Sequence, residues 1–203
     1  MIRETVVTTI SAEGRPHIAP LGLIEEGERW IAAPFAPSTT MENLRAVPQL
    51  VASHTDDVRV IAGCLTGRRD WPLESCAHVI VPRLSAALTH EEMVVESVRA
   101  DPVRPRFVCR VVHHAMHAPF AGFNRAQAAV IEAAILVSRL HMLEPEKVRR
   151  EMAYLRIAVD KTAGERERTA WDWLSAWVDA FYAASRATAA AGAQEASQGG
   201  GAA

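Results

Sequence analysis

The hydroxyl run Ser38-Thr39-Thr40, followed by Met41, Glu42, Asn43 and Leu44, has the residue types best suited to chemistry in this chain. It comes just after Pro34-Phe35, where an apolar strand-like stretch ends, and it opens a helical pattern over residues 39–47. The first turn of a helix has unpaired N–H groups and a partial positive charge, which favour an anion by ~0.3–2 kcal/mol. Three neighbouring hydroxyls add donors, so the turn can cradle a phosphate. The same residues also read as an ordinary capped turn, with Thr39 as N-cap and Glu42 three residues on as its capping-box partner. Glu42 would repel a phosphate unless it turned back onto that cap.

Upstream, residues 14–24 (GRPHIAPLGLI) place His17, Ile18, Ala19, Pro20, Leu21 and Gly22 in one run. Small residues with Pro20 and Gly22 let a flat ligand approach the backbone, whose polar groups can bond a planar ring edge. A strand with a bulge at residues 20–22 accounts for them equally well. Downstream, His54, Thr55, Asp56 and Asp57 either reach toward the same ligand or form a plain turn. His17 and His54 are the only acid–base candidates, because an imidazole titrates near neutral pH.

Other constellations have both a chemical and a structural reading. His113, His114 and His117 crowd a β-like stretch. His113 and His117 share a face there but lie about 13 Å apart at ~3.3 Å per residue, too far for one metal without a bend. No metal site is therefore expected. Arg125, Glu132 and Arg139 fall on one stripe of an apolar helix, either an ion-pair seam or a cleft lining. Trp171, Trp173, Trp177 and Phe181 form a helix face suited to a core or a dimer contact. Arg99, Arg104, Arg106 and Arg110 read as a solvated loop and strand face, or as a phosphate or nucleic-acid site. No dinucleotide fingerprint or nucleophile elbow is present.

These residues need elements to hold them. Up to about residue 117 the pattern is β: strands over 5–11, 16–24, 29–34, 51–55, 58–64, 77–88, 93–98 and 107–112, with the short helix 39–47 among them. Residues 91–99 also fit a helix. From Asn124, a natural N-cap, the period becomes helical, with helices to about 142, from Pro145 to about 161, and over 165–184. The expected fold class is α+β: a β-barrel over 1–120, a helical domain of about three helices over 121–184, and a disordered Ala/Gly/Gln/Ser tail over 185–203.

Bulk properties narrow the function classes. The 203 residues carry a formal net charge of -2, which argues against nucleic-acid binding by bulk electrostatics. Cys64, Cys76 and Cys109 are an odd set without a C-x-x-C pair, expected to be reduced thiols. The start alternates like a strand rather than a signal peptide, and the most apolar run, 126–137, is too short and polar to span a bilayer. A cytoplasmic protein is expected, with no membrane partner.

The order of these segments resembles the FMN-binding split barrel, in which the hairpin, the third strand and a Ser/Thr-rich helix start carry the flavin, and Asn-Leu follows (Asn43-Leu44). The closer resemblance is to domain-of-unknown-function family 447, over nearly the whole chain apart from the tail. It rests on ETVVTT (4–9), HIAPLG (17–22), PFAPSTTMENL (34–44), HTDD (54–57), FNRA (123–126), AVIEAAI (129–135) and SRL (138–140). The resemblance implies bound FMN, its ring against residues 16–22 and its phosphate near Ser38, Thr39 and Thr40. It places Phe35, Asn43, His54, Thr55 and Asp56 around the cofactor, and it implies a homodimer. The implied activity is that of a flavin-dependent oxidoreductase acting on an unspecified small molecule. A non-catalytic flavin carrier or sensor, and a dimeric scaffold without cofactor, are the alternatives. Many split-barrel enzymes place a basic residue in the phosphate loop, and this loop has none. Neutralisation then falls to Arg45, another strand or the partner subunit.

Overall fold

In the computed structural model, which describes the backbone of residues 1–199 and the side chains of 1–188, strand β1 (Ile2–Ile10) is buried on both faces from Thr5 onward. Its Val7 points into a core shared with Leu23, Leu50, Met93 and Phe107. Ile10, on the opposite face, packs with Val51, Val79 and Val81. A strand covered on both sides reads as a continuous β-branched run, which is how residues 5–10 are written.

Six antiparallel strands close into a barrel in the order β1-β2-β3-β8-β7-β4: β2 Pro16–Glu26, β3 Arg29–Ala32, β4 Gln49–His54, β7 Thr89–Arg99 and β8 Arg106–Met116. Closure removes the free edges that an open sheet would expose. One seam stays open, however. β2 pairs with β1 from Pro16 to Ile24, whereas only Ile24, Glu25 and Glu26 pair with β3.

Helix α1 (Thr39–Ala46) sends Met41 and Leu44 into the barrel core. Helix α2 (Val58–Leu65) replaces the strand expected over 58–64 and packs against β2. Its apolar run carries no alternation, so periodicity could not separate a buried strand from a buried helix. Asp57 decides the matter by capping the first turn, accepting from the Arg59 amide at 3.1 Å.

The strand expected over 77–88 is also absent. Only the two-residue strands β5 (Leu73–Glu74) and β6 (Arg83–Leu84) pair in that region. The amides of Ala77, His78 and Val79 instead donate to the Glu92 carboxylate at 3.0, 2.6 and 2.9 Å. Residues 91–99 are strand, not helix, because β7 ladders with both β4 and β8.

The chain divides into two units, Met1–Phe123 and the residues from Asn124 onward. The second holds α3 (Arg125–Val137), a 3-10 turn at Leu140–Met142, α4 (Pro145–Thr162) and α5 (Glu165–Gly199). The described residues contain five α-helices in all, three in this unit and two in the barrel unit, of which α2 was not expected. Asn124 caps α3, accepting from the Ala126 amide at 2.7 Å, and its own amide group donates to the Thr162 carbonyl. Over 185–199 the expectation of disorder meets a continued helix, consistent with the high helix propensity of its alanines. The remainder of that tail, 200–203, lies outside the described residues. Among the described residues no helix is long and apolar enough to cross a membrane.

Candidate functional site

The β3–α1 turn is tied down from outside. The Ala36 amide donates to the Val103 carbonyl at 2.8 Å, and Arg104 donates from Nε and a terminal nitrogen to the Ala33 carbonyl at 3.0 and 2.8 Å. The Arg104 guanidinium also lies 4.6 Å from the centre of the Phe35 ring, which is itself 59% exposed. Ser38, rather than the expected Thr39, is the N-cap: its Oγ accepts from the Met41 amide at 3.3 Å. The Glu42 amide bonds the Ser38 carbonyl at 3.0 Å. The amides of Thr39 and Thr40, first in the helix, have no intrahelical acceptor. With the Ser38 O–H and the exposed Thr39 hydroxyl they form a small set of donors.

The positive charge missing from this loop comes from the β7–β8 connection. Arg106 begins β8, one step beyond the Ala32–Phe107 pair, and its buried Nε has no hydrogen-bond partner. Arg104 stands two residues before it. In the sequence both fit a solvated face as well as a phosphate site, because nothing local shows that β8 lies beside β3. Arg45, the other candidate, lines a groove of about 350 Å³ with Val98, Asp101 and Pro105. The donor set and Arg104 suit a phosphomonoester, with Arg106 nearby in sequence. Two charges oppose it: Asp101, whose carboxyl the Arg104 amide and both guanidinium groups hold low, and exposed Glu42.

β2 places His17, Ile18, Ala19, Pro20, Leu21 and Gly22 along the open seam. Ile18 is buried, and the other five are half-buried. The Leu21 carbonyl accepts from Thr5 Oγ1 at 2.7 Å. Gly22 has a structural reason to be small: a Cβ there would come within 2.9 Å of Ile2 Cγ2. Burial, with Arg69 nearby, pushes the His17 imidazole below its ordinary value of 6.5.

The remaining sequence candidates divide between core, cap and a second groove. Asn43 is 5% exposed and donates from Nδ2 to Thr9 Oγ1 at 3.0 Å, fixing α1 on β1. Thr55 donates to the Ala86 carbonyl and accepts from the Asp57 amide, so it shapes the entry to α2 beside half-buried Asp56. His54 lies 3.3 Å from a Glu91 carboxylate oxygen and lines a groove of about 410 Å³ with Arg3, Trp30, Met116 and Phe120. The structure does not bring the two imidazole candidates together. His17 faces Thr9, while His54 follows the Val6–Ser53 pair, roughly 13 Å along the sheet at ~3.3 Å per residue.

In the helical unit, Arg125, Glu132 and Arg139 are all exposed, so Glu132 bears no burial cost and forms no interior seam. Trp171 is buried, Trp173 and Phe181 are half-buried, and Trp177 is 44% exposed.

A closed antiparallel barrel followed by a separate helical unit, with a donor-rich turn at the end of the third strand, defines the class of protein. The chain belongs to the protein-of-unknown-function family DUF447, whose N-terminal domain matches residues 3–118 and whose C-terminal part matches 124–176. No curated protein matches it. Among solved structures, it is similar to an FMN-bound protein of the same family from Methanosarcina mazei, with 20% identity and a TM-score of 0.77, covering 87% of this chain and 94% of that one. That likeness establishes a shared fold. Two weaker ones each cover 56% of this chain. They are the 2-nitrobenzoate 2-nitroreductase of Pseudomonas fluorescens (18% identity, 64% of that chain, TM-score 0.49) and an FMN-binding protein of Thermus thermophilus with bound 1-cyclohex-2-enone (19%, 69%, 0.48).

Proposed function

We propose that this chain is a cytoplasmic FMN-binding flavoprotein that acts as a homodimeric, flavin-dependent oxidoreductase. Residues 1–120 form the cofactor domain and 121–184 a helical domain. The observation that carries the reading is the unpaired edge of β2, residues 16–23, beside an α1 that packs on both β1 and β2 and presents free donors at its start. The FMN-bound relative of the same fold supports it.

FMN, when bound, supplies reversible two-electron chemistry, and the protein supplies position and hydrogen bonds. Ser38, Thr39 and Thr40 hold the phosphate, with Arg104 and Arg106 neutralising it. Backbone groups of residues 17–22 hold the ring edge, and Phe35 borders the site. One observation favours a non-catalytic carrier as the second reading: His17 and His54 lie at different ends of the barrel, so no acid–base pair converges.

Identifying the small molecule that co-purifies, by mass and absorption, tests the cofactor. The expected result is yellow protein holding FMN. A colourless product that gains no thermal stability from added FMN would overturn the reading. Anaerobic mixing of holoprotein with NADH or NADPH then separates the two functions, since bleaching of the flavin marks an oxidoreductase.

The dimer is supported by the apolar side chains the barrel unit leaves outside, among them Ile2, Val98, Val103, Met116 and Phe120, each more than half exposed. Light scattering after size exclusion should give twice the 22.1 kDa chain mass. A monomer at micromolar concentration would remove the homodimer from the proposal.

A further inference from the structure

Away from the turn and the open seam, three side chains of different chemistry converge beneath the 77–79 segment. Cys76 Sγ, a nitrogen of His90 and a carboxylate oxygen of Glu92 all lie within 4.8 Å of one another. His90 and Glu92 are 4% and 0% exposed, and Cys76 is half-buried. On β7 the alternation of residues places His90 and Glu92 on one face, and the Glu92 carboxylate meets the 77–79 segment through the three amides it accepts from.

We propose that Cys76, His90 and Glu92 bind a divalent cation of the zinc class. Thiolate, imidazole and carboxylate together select a borderline-soft ion in tetrahedral geometry, with the fourth position open to water. His90 Nε2 and Glu92 Oε1 are 3.4 Å apart. That is long for a hydrogen bond, and it matches the edge of a tetrahedron whose metal–ligand bonds are ~2.0–2.2 Å.

The carboxylate keeps capacity for a cation. Oε2 accepts from the His78 and Val79 amides, whereas Oε1 accepts from only one amide, that of Ala77. The second nitrogen of His90 is oriented for the role. Nδ1 lies 2.9 Å from His117 Nε2, so an N–H donated to His117 would leave Nε2 unprotonated and aimed at the site. In that tautomer two lone pairs face each other across the 3.4 Å gap, an arrangement a cation relieves. Without a metal, burial pushes the Cys76 thiol up to about 11; on coordination its proton passes to solvent. His113 borders the cluster, its ring 6.1 Å from that of His90 and 4.7 Å from that of His78. The bound ion would fasten residues 76–79 to β7 and so hold Val79 against the outer face of β1.

Cobalt(II) titration of the untagged, metal-stripped full chain tests this. One equivalent should bind and produce a thiolate-to-cobalt charge-transfer band that zinc displaces. Cys76→Ser should abolish the band, and His117→Asn should weaken binding roughly 10- to 100-fold. The wild-type chain offers an independent readout: Cys64 and Cys109 are buried, so the reactive thiol is Cys76, and zinc should slow its alkylation at least tenfold. Absence of the band in wild type, or alkylation unaffected by zinc, would overturn the proposal. A band that persists in Cys76→Ser would overturn it too, by placing the metal elsewhere.

Discussion

At the residue scale, Asn43 shows how one buried polar contact fixes the position of the candidate cradle. Its Nδ2 donates to Thr9 Oγ1, so α1 is located on β1 by a directional bond as well as by Met41 and Leu44. Asn43→Ala should cost about 1–3 kcal/mol, because Thr9 is then left without its donor in a buried setting. Urea unfolding checks this, and a loss below about 0.5 kcal/mol would show that the contact is dispensable. His17 makes a prediction in pH. Burial and Arg69 hold its imidazole below 6.5, so the unfolded chain binds its proton first as pH falls. Stability is then fully present above 6.5 and declines below it, until the folded group protonates as well. His17→Gln should flatten that decline, with a residual slope from His90 and His117, which are shifted the same way. An unchanged slope in the urea midpoint between roughly pH 7 and 5 would show that His17 is not shifted.

At the element scale, α1 begins where the hydroxyl run begins, and its cap is a separable contribution. Ser38→Ala should cost about 1 kcal/mol of stability through lost capping alone, measured by urea unfolding without flavin. No change would mean that Thr39 takes over the role. The elements also show what could be read from sequence. β1, β2 and β3 announce themselves through β-branched residues and the turns at Gly14 and Gly27, both at positive φ. α2 did not, because Val58, Val60 and Ile61 carry β-type residues in a buried helix. Nor did the 77–79 segment, whose amides bond a side chain thirteen to fifteen residues away instead of a strand. The hydroxyls of the candidate cradle were legible. Arg104 and Arg106 were not, since only the β3–β8 pairing brings them to the turn. Cys76, His90 and Glu92 escaped for the same reason, as a loop and a bulged strand meet there.

At the scale of the whole molecule, the barrel is closed yet has one seam open, with phosphate-type donors at one side of that opening. The phosphate contacts should matter for FMN and not for riboflavin, which has the same ring without the phosphate. The most direct measurement is therefore the dissociation constant of each flavin, by fluorescence, for the wild type and for Ser38→Asp. Aspartate caps a helix as well as serine does, so the fold is retained, while its charge opposes a phosphate. FMN should bind at least tenfold more tightly than riboflavin to the wild type, and Ser38→Asp should remove this preference while leaving riboflavin binding unchanged. Equal affinities for the two flavins in the wild type, or an FMN preference that survives in Ser38→Asp, would contradict this placement of the phosphate.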